Sequence, residues 1–184
     1  MATETRTRIL NPVSEWTAPE IEMVSRLQDI KGKTIGLLDN GKPNNDIFQA
    51  RLKELLEDLY PDATIYAPGR PNQTIYKTPQ QTADSFRDDF IAHGCDAVVV
   101  SISDWGGCTS GCILDATTIE KAGIPTVTVA TDRFLRLAQR VAEAHEMASL
   151  PLVVIPHPVG GLPPEPVREK ADMIVREIAE KLLG

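Results

Sequence analysis

Five short apolar runs rich in β-branched residues recur along the chain, at 33–38, 63–67, 96–101, 125–130 and 152–156. Each is bounded by turn-forming or charged residues and reads as a buried strand. Between them apolar residues return at helical spacing: Phe48, Leu52, Leu55, Leu56 and Leu59, then Phe86 and Phe90, then Ile113, Ala116 and Ile119, then Leu135, Ala138 and Val141. Val167, Ala171, Ile174, Ile178 and Leu182 mark a last helix. Strands alternating with helices predict a parallel sheet covered on both faces, a three-layer αβα arrangement filling residues 31–184 as one α/β domain. Right-handed crossovers leave few ways to wind five such units, and the flavodoxin-like strand order 2-1-3-4-5 is the expected solution.

Residues 1–30 precede the first strand and contain a short stretch with helical spacing at 20–27. They are expected to form an N-terminal arm able to pack on a second subunit. The proline-rich segment 156–166 reads as a loop, because the last helix after it is needed to cover the sheet.

Composition narrows the class of partner. A chain of 184 residues buries roughly 70% of its unfolded surface and needs no disulfide or metal staple. The net charge of -7, with Lys and Arg unclustered, argues against nucleic acid and anionic membranes. No apolar run approaches the ~18 residues of a membrane span, and the N-terminus has no hydrophobic signal core. A cytoplasmic location is expected. There the three cysteines rest as thiols.

In open parallel sheets ligands bind beyond the carboxyl ends of the strands, so the residues after each strand form the candidate site. The most informative of these is Asp104-Trp-Gly-Gly-Cys-Thr-Ser-Gly-Cys112, a strand-to-helix turn. Backbone N–H groups and the helix dipole at such a turn lower a cysteine pKa from about 8.5 into the range ~3.5–7.5. Cys108 is therefore the candidate nucleophile, with Gly107 giving close backbone approach and Thr109 capping the helix or donating to a carboxylate. Its competing role is that of a small buried residue in a Gly-rich turn. Cys112, four residues on, faces the same side and is either a resolving thiol or a residue packed on the sheet.

His157, between two prolines after the fifth strand, is a candidate acid or base, its alternative being a loop histidine bonded to backbone. Asp104 and Asp39 are strand-end carboxylates able to orient a base or bind substrate. Asn40, Lys42, Asn44 and Asn45 suit carboxylate or carbonyl recognition, and the expected strand order places the first three opposite Cys108; Trp105 can wall a pocket, and Thr131 ends the fourth strand at the same edge. Asn44 or Asn45 also suits the N-cap of the first helix, and Asn45 is preferred there. Asp115 is expected to bond locally, and His93 and His145 to sit at the surface or cap helices. Neither a zinc-ligand spacing nor a phosphate-cradling glycine motif is present, so no metal or cofactor is expected.

The segment 96–126, with Gly36-Leu-Leu-Asp-Asn-Gly-Lys-Pro-Asn44 and His157-Pro158, resembles the UGSC-like family, named for a selenocysteine-Gly-Ser-Cys signature. It is more distantly similar to the selenoprotein B component of glycine and proline reductases. In that pattern the signature follows a strand and precedes a Thr, a helix with Glu near its end, and Gly-Ile-Pro. Here Trp105 occupies the selenocysteine position and Gly107 the serine, so the resemblance carries over Cys108 and Thr109 but no selenoether chemistry. The turn Gly107-Cys-Thr-Ser-Gly111 is also loosely similar to the cysteine loops of aspartate/glutamate racemases and maleate isomerases.

Three functions follow. In the first, Cys108 attacks or deprotonates a small organic acid or carbonyl compound, His157 or Asp104 moves the proton, and the outcome is C–X cleavage, as in a lyase, hydration or isomerisation. In the second, Cys108 is a redox thiol cycling with Cys112 or a partner. In the third, the chain is a binding subunit without chemistry. A homodimer, or a heteromer with a related subunit, is expected in each.

Overall fold

The computed structural model describes residues 21–69 and 78–184. Five strands, β1 (Thr34–Asp39), β2 (Thr64–Tyr66), β3 (Ala97–Ser103), β4 (Thr126–Thr131) and β5 (Leu152–Ile155), form one parallel sheet in the order β2-β1-β3-β4-β5. This is the order expected from the sequence, and every strand lies within two residues of its predicted run. Five α-helices connect and flank the strands: α1 (Asn45–Leu59), α2 (Pro79–Ala92), α3 (Gly106–Lys121), α4 (Leu135–Ala144) and α5 (Pro164–Leu183).

The helices segregate by face. α1 packs on α5 on one side, and α3 packs between α2 and α4 on the other. Successive residues of a strand point to opposite faces, so β3 divides its valines between two cores: Val99 joins Leu37, Phe48, Leu52 and Ile178, while Val98 and Val100 join Leu38, Phe90, Ile113 and Ile119. With both faces covered, all seven residues of β3 are buried, which is why its sequence is continuously apolar up to Ser101. Gly36 has a packing reason: a Cβ there would lie 2.7 Å from the Phe90 ring, so only glycine lets that ring rest on β1.

Local signals set the helix ends. Thr78 caps α2, accepting from Gln81 N while the Gln81 side chain accepts from Thr78 N, with Pro79 at the first helical position. At α1 the outcome differs from the sequence reading. The N-cap is Asn44, with φ 66°, and its side chain caps nothing; Asn45 is the first helical residue and fully buried.

The helical stretch expected at 20–27 is absent over its described residues, 21–27. That segment makes tertiary bonds instead, Ile21 N to Glu146 O and Leu27 N to Leu182 O. Ile21 and Met23 pack on one core and Leu27 and Ile30 on the other, so burial in two places overrides a helix that would present one face. Residues 1–20, most of the expected arm, lie outside the described residues.

Candidate functional site

Every polar loop singled out in the sequence gathers at the carboxyl edge of the sheet, because all five strands run the same way. The β1–α1 loop is held from below. Asp39 Oδ1 accepts Gly41 N at 2.7 Å and Asn45 Nδ2 at 2.7 Å. Asn45 Nδ2 also reaches Ser101 O, Ser101 Oγ returns a bond to Asn45 Oδ1, and Gln49 Nε2 donates to Ser101 Oγ. Four buried polar side chains thus satisfy one another and weld β1, β3 and α1 together. Asp39 was foreseen at this edge and Asn45 was expected as a helix cap or recognition residue, whereas Ser101 and Gln49 were not singled out. Gln49 carries no signal beyond sitting one helical turn after Asn45.

Asn40 is buried and does not face Cys108. Its amide donates to Ile102 O at 2.9 Å and to Cys112 Sγ at 3.1 Å. Asn44 donates both amide hydrogens, to Val159 O and Leu162 O. Lys42 lines a cleft of about 740 Å³ with Asp39, Asn44, Gln49, Lys53 and Gly69, on the β2 side of the edge. Cys108 and His157 are not among its lining residues.

Cys108 occupies the third position of α3, whose N-cap is Trp105. Its Sγ reaches back to accept Asp104 N at 3.2 Å and Trp105 N at 3.0 Å, and lies 3.1 Å from Trp105 O. A capping-box glutamate uses the same geometry, so the thiol is a helix-start acceptor among oriented N–H groups. Cys108 is 6% exposed, walled by polar backbone on one side. Thr109 is fully buried and donates to Trp105 O at 2.7 Å, a contact within its own turn. Beside Gly107 a Cβ would meet nothing within 4 Å.

Asp104 links the sulfur to the histidine. Its N–H donates to Cys108 Sγ, and its carboxylate accepts Val159 N, Gly160 N at 2.8 Å and His157 Nδ1 at 2.9 Å. Thr131 Oγ1, 3.4 Å from the same ring nitrogen, donates its own hydrogen to Ser103 O. Nδ1 therefore faces two acceptors and carries the hydrogen, leaving Nε2 as the lone-pair nitrogen of the neutral ring. Asp132 Oδ1 accepts His157 N at 3.0 Å and the Phe134 ring tilts against the imidazole. Asp132 directly follows β4, and its contact depends on the path of the loop after β5.

Trp105 is 43% exposed. A Cβ at Gly160 would come within 3.0 Å of its indole and 3.3 Å of Asp104 Oδ2, so glycine there lets the loop lie flat between the two. Cys112 is fully buried, and burial pushes its thiol up to about 12. Cys95 is pushed up to about 12 in the same way, with Asp89 and Asp96 adding to burial. Asp115, expected to bond locally, makes no hydrogen bond among the described residues, and burial raises its carboxyl to about 7. His93 and His145 are the C-caps of α2 and α4. Among the described residues no group of three or more His, Cys, Asp or Glu could hold a metal ion, and no helix is long and apolar enough to cross a membrane.

The glutamate of the sequence pattern, Glu120, belongs to the opposite end of the domain. Both its oxygens meet Arg26 Nη2, at 2.9 and 2.8 Å, and Oε1 also accepts Thr126 N and Thr126 Oγ1. It ties the end of α3 to the start of β4 and to the segment before β1.

The chain is 34% identical over 115 residues to the glycine reductase complex component B subunit gamma of Peptoclostridium litorale, covering 61% of this chain and 24% of that protein. The subunit of the same name from Peptoclostridium acidaminophilum is 32% identical over the same length and shares. The chain thus spans about a quarter of the length of these curated relatives. The family model described as the UGSC family matches residues 8–184, taking in every element and the whole carboxyl edge, and the chain belongs to the UGSC family.

Proposed function

We propose that the chain is a cysteine-dependent enzyme subunit acting in the cytoplasm on a small organic acid or carbonyl compound, within an assembly related to reductase complexes. The observation that carries the reading is the continuity of Cys108, Asp104 and His157: one residue donates its N–H to the sulfur and holds the imidazole through its carboxylate. His157 Nε2 takes the Cys108 thiol proton as Sγ adds to the carbonyl carbon of the substrate, the carbonyl electron pair moves to oxygen, and that oxygen then receives the proton from Nε2. In a second route the thiolate or the Nε2 lone pair removes a proton next to the carbonyl and holds it until it is returned to the product. The close walls around Cys108 suit a small reactant. Lys42 and Asp39, which line the neighbouring cleft, would meet its polar end. Likeness to subunits of a multi-component complex supports a heteromeric partner.

The test is iodoacetamide labelling at about pH 7, where an activated thiol should react at least tenfold faster than the same cysteine in denaturant. Equal or slower labelling removes the nucleophile from the reading. Mass spectrometry of Cys108 after incubation with cell extract would give the substrate class directly.

A second reading, a binding subunit without chemistry, is favoured by the exposed indole of Trp105 and the half-exposed Leu137 near the start of α3. It requires that Cys108→Ala leave the activity of the assembled complex intact. Redox cycling between Cys108 and Cys112 has the least support, because Cys112 is sealed in the core with its thiol pushed well above neutrality.

A further inference from the structure

Two loops of the carboxyl edge meet at one side chain. Asn44 Nδ2 lies 2.9 Å from Val159 O and 2.9 Å from Leu162 O, so both of its hydrogens are used across more than a hundred residues of sequence. Its helix gains no side-chain cap from it. Its backbone, at φ 66°, is one that glycine adopts more readily, so local conformation does not call for a side chain here. What the side chain does is join α1 to the loop that carries His157. Val159, whose carbonyl it holds, donates its own N–H to Asp104, and Asp104 accepts His157 Nδ1.

We infer that Asn44 is a positioning residue for His157: by pinning Val159 and Leu162 it sets the loop in which the Asp104 carboxylate meets both the backbone and the imidazole. This rests on reading His157 as the group that moves the proton. It also reassigns Asn44, whose amide has no hydrogen left for a substrate. The cleft of about 740 Å³ that Asn44 lines is thereby coupled mechanically to the Asp104–His157 pair.

The experiment needs no substrate and so separates this inference from the proposed catalysis. Asn44→Gly relaxes the backbone and deletes both bonds. Asn44→Asp keeps the size and tolerance of positive φ but cannot donate to carbonyls. Amide exchange at Val159 and Gly160 and the ¹⁵N resonances of the His157 ring, recorded at about pH 8 where a free imidazole is neutral, are the readouts. Both variants should fold, speed exchange at those two amides at least fivefold, and turn a dominant Nδ1–H tautomer into a mixture. Asp46→Ala, in the same helical turn but without a bond to the loop, should leave both readouts at their original values. Exchange accelerated less than fivefold, or an unchanged tautomer, overturns the inference. Failure of both variants to fold also overturns it, since Asn44 would then serve the fold rather than the histidine. Cys108 labelling in the unaltered protein decides the proposed chemistry independently of either result.

Discussion

Asp104 and His157 are joined through a carboxylate oxygen 2.9 Å from Nδ1, and the same carboxylate takes the N–H groups of Val159 and Gly160. Asp104 is 3% exposed, so these donors replace the water it has lost. It is both the floor of the loop and the orienting group of the imidazole.

Asp104→Asn keeps the shape but turns an amide N–H₂ toward groups that are themselves donors. The expected cost is about 1–3 kcal/mol of stability by urea unfolding, from a mismatched buried hydrogen-bond set. Turnover, once a substrate is known, should fall by at least tenfold, because the neutral ring loses its preference for hydrogen on Nδ1. A variant of unchanged stability and turnover would show that the carboxylate is not what holds the loop.

The three thiols should separate by rate. Cys95 and Cys112 are both pushed to about 12, chiefly by burial, so at about pH 8 only about one in ten thousand of either is thiolate. Iodoacetamide on the native protein should therefore modify Cys108 first, with all three modified in denaturant. Peptide mass spectrometry over a time course reads the order. Cys112 labelled ahead of Cys108 would reverse the assignment of the two cysteines.

The sheet was legible because doubly covered parallel strands demand unbroken apolar runs, and Val98 to Val100 can satisfy no other role in a chain of this size. The gathering of loops at one edge followed from parallel strands alone. The site's internal bonds did not follow. That Asn40 bonds to Cys112 rather than facing Cys108 depends on which way the chain turns after β1, and that turn passes through positive φ at Gly41 and Asn44. Asn44 and Asn45 are interchangeable as N-caps by composition, and only the left-handed backbone at Asn44 separates them. The stretch 21–27 has helical spacing but feeds two cores, and spacing carries no information about a segment whose neighbours come from both faces of the sheet. Asp132 and Gly160 act across loops joined by tertiary contacts, where local sequence has no period to read.

Glu120 sits in the same position for the amino-terminal end of the sheet as Asp104 does for the carboxyl end. Its side chain is fully buried, with Arg26 as its ion-pair partner. Removing one member of a buried pair strands the other, so Arg26→Ala should cost about 3–5 kcal/mol. Arg26→Lys keeps a charge but loses the bond that Arg26 Nη1 gives Thr126 O, and should fall between. Urea unfolding of the three proteins orders them. Equal stabilities would mean that the segment before β1 is not fastened by this contact.

Asp115 offers the clearest dependence on pH. Burial within α3 raises its carboxyl from 3.8 to about 7. The folded chain therefore favours the protonated acid more than the unfolded chain does. The sign follows: below about pH 4 the group is protonated in both states and costs nothing, between about pH 4 and 7 the unfolded state gains by ionising, and above about pH 7 the full cost is present. A shift of this size corresponds to an order-of-magnitude ceiling of about 4 kcal/mol. Asp115→Asn keeps the shape and cannot ionise, so the variant should melt close to the original protein at about pH 4 and increasingly above it toward about pH 8. Thermal melts of both proteins across that range test it. A difference in melting temperature that stays constant with pH would mean that Asp115 is ionised in the folded chain at neutrality and has a counter-charge to hold it.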